Sequence, residues 1–455
     1  MKIVILGAGQ VGRTAAFHLS REEANDVTVV DINEELLRDL QDRLDIRTVA
    51  GNAAYPTVLE AAGAPDADII IALTNSDEVN MMACEVAYTL YRTPTKIARI
   101  RSAEYTSHPR LFSDEALSVD VWISPEQLVT EYVERLIQYP GALQVLDFAD
   151  ERVRLVSLRA RQGGPLVGHS IRTLREHLPQ SEMRIVAIYR KGKNIPPEGD
   201  TVIEDGDEVF FLAAREDIRR VMSELRREDS PAKRIVIAGG GNVGFRLARA
   251  LEKQHQVKLI ERDAKRARRV AEQLENAIVL NGDAADEDLL IEENIDSADV
   301  FAALTNSEEA NILSAMLAKR LGAGRVMALI NKPSYAELME SGPIDVAISP
   351  QMITIGALLA HVRRGDVVRV HSLRRGAAEA LEAVIHGDER SSRVIGKRVE
   401  DIKLPEGAAI GAVVRAEDVI MAHHDTTMQA GDHVILFLAD RRHVEQVQRL
   451  FSSSG

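Results

Sequence analysis

Gly7, Gly9 and Gly12 stand in the spacing G-x-G-x-x-G, after the apolar run KIVIL and before VGRTAAFHL. Strand, glycine turn and helix in that order make a cradle for a pyrophosphate. The first glycine allows the tight turn, the second lets the anion reach the backbone, and the third lets the helix pack on the strand. The loop comprises Gly7, Ala8, Gly9, Gln10, Val11 and Gly12, and the amides at the start of its helix would face the anion. A ribose needs an acid about 20 residues on, and Asp31 ends the second apolar run, VTVVD. A carboxylate there repels a 2′-phosphate, which favours NAD over NADP. Without a ligand the same glycines make a bare strand-to-helix turn.

The same set recurs. Gly239, Gly240, Gly241, Asn242, Val243 and Gly244 form a second loop, with Glu261 as its acid. Glu is longer than Asp but still reaches a ribose hydroxyl pair. Asn52-Ala53 and Asp283-Ala284 follow the third strand of each copy, beside an adenine pocket; they read equally as plain polar turns. Thr74-Asn75-Ser76 and Thr305-Asn306-Ser307 follow the fourth strand, where a phosphate and the distal ribose would lie; the alternative is capping of the next helix. Arg99 lies in the otherwise apolar KIARI, where a cation is costly unless it meets a phosphate or an acid such as Asp120. Its counterpart is Leu329, so the two sites differ.

Other arrangements lack the geometry that chemistry needs. Tyr189 and Lys193 match a dehydrogenase dyad in spacing but sit on a strand running into a glycine hairpin, not on one helix face. GPLVGHS lacks a phosphate-binding lysine. His423 and His424 face opposite sides of a strand. Cys84 lies in the apolar stretch MMACEVAYTL and reads as core.

The whole chain is a duplication at a spacing of about 230 residues. MKIVILGAGQVG returns as KRIVIAGGGNVG, ALTNSDEVN as ALTNSEEAN and VDVWISP as IDVAISP. More weakly, LVGHSIRTL resembles VIGKRVEDI, and IEDGDEVFFLA resembles MQAGDHVILFLA. Strands alternate with helices in each larger unit, which predicts two doubly wound parallel α/β sheets of Rossmann type. Each is followed by a linker helix, to about Tyr139 in the first copy. A small α+β module comes next, read as strand-like from Asp150 and ending in a helix. The expected boundaries are 1–123, 140–226, 232–348 and 366–451, with the polar RREDSPAKR joining the halves.

Composition narrows the function. A net charge of −14 is the wrong sign for gripping nucleic-acid backbones, and aromatics at 4% leave little for base stacking. One cysteine excludes an internal disulfide and any C-x-x-C site, and fits a reducing compartment. The opening MKIVILGAG leaves no room for a signal peptide. The longest uncharged run, between Asp345 and Arg363, is short for a bilayer and reads as a partly buried connector helix.

The doubled order GAGQVG, VVD, GNA, ALTNSDEVN, IARIR, with a GDEV-containing module after each unit, resembles the Trk potassium-uptake regulatory subunits of the TrkA family. The resemblance spans essentially the whole chain and implies two tandem RCK (KTN) units, each with an N-lobe and a C-lobe. It implies a non-enzymatic, peripheral protein on the cytoplasmic face of the inner membrane. It would be a homotetramer gating a transmembrane subunit of TrkH or TrkI type, and would bind NAD(H) and also ATP or ADP. The first site implied by it is the Gly7–Gly12 loop, Asp31, Ala53, Thr74 and Arg99. The second is the Gly239–Gly244 loop, Glu261, Ala284 and Thr305. The alternative function is an NAD-dependent oxidoreductase, which the glycine loops fit equally well. Against it stand the duplicated cofactor domain and the lack of an acid–base dyad.

Overall fold

The apolar run KIVIL forms β1 (Lys2–Leu6), buried at every position but the first, because a central parallel strand is covered on both faces. The computed structural model describes residues 1–22, 25–113, 116–179, 181–227, 231–332, 335, 342–362, 367–373 and 377–451. The junction RREDSPAKR lies partly outside them.

Around β1 stand β2 (Asp26–Asp31), β3 (Arg47–Ala50), β4 (Ile69–Ala72), β5 (Thr95–Arg99) and β6 (Val121–Ile123). All are parallel, in the order β3-β2-β1-β4-β5-β6. Strand order reverses between β1 and β4, and the crevice at their carboxyl ends is where ligands bind in such sheets. Leu6, Ile70, Ala72 and Ala98 pack against Ala83, Cys84 and Ala87 of helix Asp77–Tyr91. Burial pushes the Cys84 thiol up to about 12, so it is a core residue and not a nucleophile.

The small module contains β7 (Ala142–Phe148), β8 (Val153–Arg159), β9 (Met183–Arg190), β10 (Lys193–Ile195) and β11 (Glu208–Ala214), then helix Ile218–Leu225. Its sheet is antiparallel, in the order β10-β9-β11-β8-β7. Its first strand starts before Asp150, where the strand-like reading began, and lies within the expected 140–226. The chain turns at Gly141, whose φ is +86°, and ALQVLDF already pairs with β8. Tyr189 and Lys193 sit on the paired strands β9 and β10, as expected of a hairpin.

The second half repeats both sheets. β12 (Arg234–Ala238), β13 (Gln256–Glu261), β14 (Ile278–Asn281), β15 (Val300–Ala303), β16 (Arg325–Leu329) and β17 (Val346–Ile348) are parallel in the order β14-β13-β12-β15-β16-β17. β18 (Val367–Leu373), β19 (Ala378–Val384), β20 (Ala408–Arg415), β21 (Asp418–Met421) and β22 (His433–Leu438) form the second antiparallel sheet, before helix Val444–Phe451. The two antiparallel sheets share a core. Phe210 and Phe437 lie 6.0 Å apart, and a Cβ on Gly411 would sit 2.1 Å from Leu212 Cδ1.

By contacts the chain divides into two compact units, Met1–Leu128 with Gln351–Val362, and Val129–Pro350 with Arg363–Gly455. The first linker helix, Pro125–Gln138, therefore runs from one unit into the other. The second, Pro350–Val362, belongs almost entirely with the first parallel sheet. That helix buries Ile355, Leu358, Leu359 and Val362, as expected of an uncharged helix. No helix of the described residues is long and apolar enough to cross a membrane.

Candidate nucleotide crevices

Gly7 follows β1 with φ +108°, where a side chain would be strained, and its amide donates to Val30 O. A Cβ on Gly12 would lie 1.8 Å from Gly7 O, so the helix Gln10–Leu19 packs this closely only with glycine there. Gly9 differs. Nothing lies within 4 Å of its Cβ position, and it caps the helix without a side-chain hydrogen bond. The second loop matches it: Gly239 has φ +105°, a Gly244 Cβ would meet Gly239 O at 1.9 Å, and Gly241 is open and uncapped. By contrast, side chains of Asn33, Ser76, Asp263, Asp286 and Ser307 cap five other helices of the two parallel-sheet units. Two glycine-led helices thus keep their first amides open to an anion.

Asp31 ends β2 beside the first loop. Its Oδ2 accepts from Ala8 N at 2.5 Å and its Oδ1 from Asn33 N at 2.8 Å. Glu261 does the same, accepting from Gly240 N and Asp263 N, both at 2.8 Å. Each acid therefore also holds its loop, a second task that spacing did not reveal. Glu261 is buried and lies 3.5 Å from the guanidinium of Arg266, so less of it is left for a ribose.

The side chains of Asn52 and Asp283 accept from Ala54 N and Ala285 N, so both are engaged in their own turns. Ala53 is buried and Ala284 packs against the second core. The helix caps are Ser76 and Ser307, which accept from Val79 N and Ala310 N. Thr74 and Thr305 instead donate to the side chains of Asn80 and Asn311 at 2.7 Å. Asn75 O accepts from Arg101.

Sequence reasoning missed Asn80 and Asn311, although each closes the repeated ALTNS string. Both are buried. Asn80 also accepts from Thr74 N and donates to Arg99 O at 2.9 Å; Asn311 makes the same bonds to Thr305 N and Leu329 O. They brace the end of the fourth strand to the end of the fifth. It also missed Ile32, which is 79% exposed just beyond Asp31; the matching residue at the second site is exposed Arg262.

Arg99 ends β5. Its Nη2 lies 3.1 Å from Oε1 of Glu126, in the first turn of the first linker helix. The expected alternative, Asp120, pairs instead with Lys96 at 2.9 Å. Arg99 Nε is buried without a hydrogen-bond partner. Leu329 is buried and offers no charge. The second linker helix also reaches the first site: Thr14 Oγ1, on the glycine-led helix, donates to Gln351 Oε1 at 3.1 Å. Among the described residues no group of His, Cys, Asp or Glu could hold a metal ion.

Comparison with known proteins matches this arrangement. The TrkA-N domain matches residues 3–125 and again 235–350, and the TrkA-C domain matches 155–226 and 389–452. The Trk system potassium uptake protein TrkA of Halomonas elongata is 58% identical over 451 residues, covering 99% of this chain and 98% of that protein. That of Vibrio alginolyticus is 57% identical over 455 residues, covering 100% and 99%. Among solved structures, the GsuK RCK domain aligns with a TM-score of 0.62 at 19% identity, covering 99% of this chain and 94% of that one. The GsuK channel bound to NAD aligns at 0.61 and 19%, covering 99% and 78%. The structural likeness is one of fold; the sequence matches run end to end, and the chain belongs to the TrkA family of Trk system potassium uptake proteins.

Proposed function

We propose that this chain is the nucleotide-binding regulatory subunit of a Trk-type potassium uptake system and carries out no catalysis of its own. Its nucleotide-binding lobes are 1–123 and 232–348, and its smaller lobes are 140–226 and 366–451. It works as a homotetramer at the cytoplasmic face of the inner membrane, gating a transmembrane subunit of TrkH or TrkI type. NAD(H) takes the first crevice, with pyrophosphate on the open amides after Gly9 and ribose on Asp31; ATP or ADP competes there. The second crevice takes nucleotide on the Gly239–Gly244 loop and Glu261.

The observation that carries the reading is the Arg99–Glu126 pair, which ties the phosphate end of the crevice to the first turn of a linker helix. A bound phosphate competes with Glu126 for the guanidinium, so ligand occupancy changes the hold on the linker. Gln351, on Thr14, gives the other linker helix a contact with the same crevice. Regulation follows only if the ligand binds the two linker states with different affinity.

Calorimetry of NADH with Asp31→Ala tests the site. The variant should lose about 1.5–3 kcal/mol of NADH binding at the first crevice, the worth of a charge-assisted ribose bond. Glu261→Ala should leave that crevice unchanged. Equal NADH affinity in Asp31→Ala and wild type would refute the ribose assignment.

A further inference from the structure

The carboxyl ends of the second parallel sheet face its glycine loop. Its amino ends face something else. Between the amino ends of β15 and β16, the end of β8 and the chain after helix Ile218–Leu225 lies a cleft of about 540 Å³. That is within the ~300–1,000 Å³ range of small-molecule sites. All of its lining belongs to one compact unit.

The chain carries a net charge of −14, yet Arg159, Arg161, Arg226 and Arg325 line this cleft. A smaller depression shares Pro140 and Arg226 with it and adds Arg219 and Arg227. Six clustered guanidiniums repel one another unless acids offset them. Three aspartates line the cleft against four guanidiniums, and one of the three, Asp345, is paired with a cation outside the lining. Asp299 accepts from the amides of Lys233 at 2.6 Å and Arg234 at 2.8 Å. Asp345 accepts from Val326 N at 2.7 Å and pairs with Lys319 at 2.8 Å. The surplus of positive charge remains.

The arginines fall into two kinds. Arg325 is fixed, donating to Leu136 O at 2.7 Å and to Ala142 O. Arg226 lies against the α-carbon of Gly141, where a Cβ would come within 2.7 Å of its Cζ. Those two form a set floor. Arg159, half-buried at the end of β8, and Arg161 make no side-chain hydrogen bond or ion pair among the described residues. Ile137, Leu143, Ile344 and Val346 supply an apolar wall.

We propose that this cleft binds a small phosphorylated organic anion, separately from the glycine-loop crevices, with Arg159 and Arg161 gripping the phosphate and the apolar wall taking the organic body. Guanidinium forks match phosphate oxygens two at a time, and a multiply charged group offsets several arginines at once.

The test uses the full-length protein, inorganic pyrophosphate as the probe, and calorimetry with NADH in excess to fill the glycine-loop crevices. Wild type should show a saturable phase that weakens with salt. R159Q/R161Q should bind pyrophosphate at least tenfold more weakly with an unchanged melting temperature, because neither side chain has a structural partner to lose. R38Q/R43Q, which removes the same charge from residues that do not line the cleft, should bind as wild type. The proposal is overturned if R159Q/R161Q retains wild-type affinity or if R38Q/R43Q weakens binding equally. The readout is a difference between variants at the cleft, so it stands whether or not NADH occupies the crevices.

Discussion

Glu126 holds Arg99 at 3.1 Å, and the repeat has exchanged both members together. Where the first half has Arg99 and Glu126, the second has Leu329 and Gln351. A cation without its acid, or an acid without its cation, would be costly in a half-buried place, and neither occurs in the second set.

Arg99→Leu should lower the affinity of the first crevice for ADP by about 1.5–3 kcal/mol and flatten its salt dependence. Glu126→Gln removes the competing carboxylate and should tighten ADP binding by roughly 3–10-fold while cutting the tie to the linker. Potassium uptake in both variants should lose its nucleotide response. Calorimetry at two salt concentrations reads the first part. Unaltered ADP binding in both variants would leave the pair as a structural contact only.

Gly9 and Gly12 should separate binding from folding. Gly9 has ordinary backbone angles and open space around its Cβ position, so Gly9→Ala should change stability by less than about 1 kcal/mol. Its methyl group would project into the anion cradle and reduce nucleotide affinity at least tenfold. Gly12→Ala drives a Cβ to 1.8 Å from Gly7 O and should lower both stability and binding. Melting temperature beside a nucleotide titration distinguishes the two effects.

Asn80→Leu should cost about 2–4 kcal/mol of stability, since it leaves the half-buried amide of Thr74 and the carbonyl of Arg99 without their partner. Asn311→Leu should cost a similar amount through Thr305 and Leu329. Chemical denaturation checks both. A loss below about 0.5 kcal/mol in either would show that its brace is dispensable.

His371 gives the second unit a dependence on acid. Burial, aided by Arg135 and Arg369, pushes its imidazole down to about 4, against a hydrogen bond to Asp147 O at 3.2 Å. The unfolded chain takes up the proton near pH 6.5, and the folded chain only near 4. Stability is therefore full above about 6.5 and falls by about 2–3 kcal/mol as pH drops to 4. His371→Gln should remove that part of the slope. Denaturation midpoints from pH 7.5 to 4.5 measure it, and equal slopes in the two proteins would disprove the assignment.

Much of the fold was legible because its signals are local. An apolar run before a glycine turn reads as a buried strand, and strict spacing from Gly7 to Asp31 places loop and acid on neighbouring strands. Duplication doubled each signal. β7 was harder: ALQVLDF begins directly after Gly141 with no polar spacer, so the first strand of the module was missed although the boundary at 140 includes it.

The residue types and their order determined the two glycine loops, the two acids, the alternation of strands and helices, and the absence of a cation at Leu329. All of these depend on neighbours in sequence or on a fixed repeat. Tertiary structure alone decided which acid Arg99 meets: Asp120 is the nearer in sequence, but it is drawn to Lys96, and the more distant Glu126 takes the guanidinium. It alone placed nearly all of helix Pro350–Val362 with the first sheet, since an apolar helix carries no record of which core buries it. It alone gathered Arg159, Arg226 and Arg325 around one cleft, since like charges from distant segments are brought together only when the whole chain closes around them.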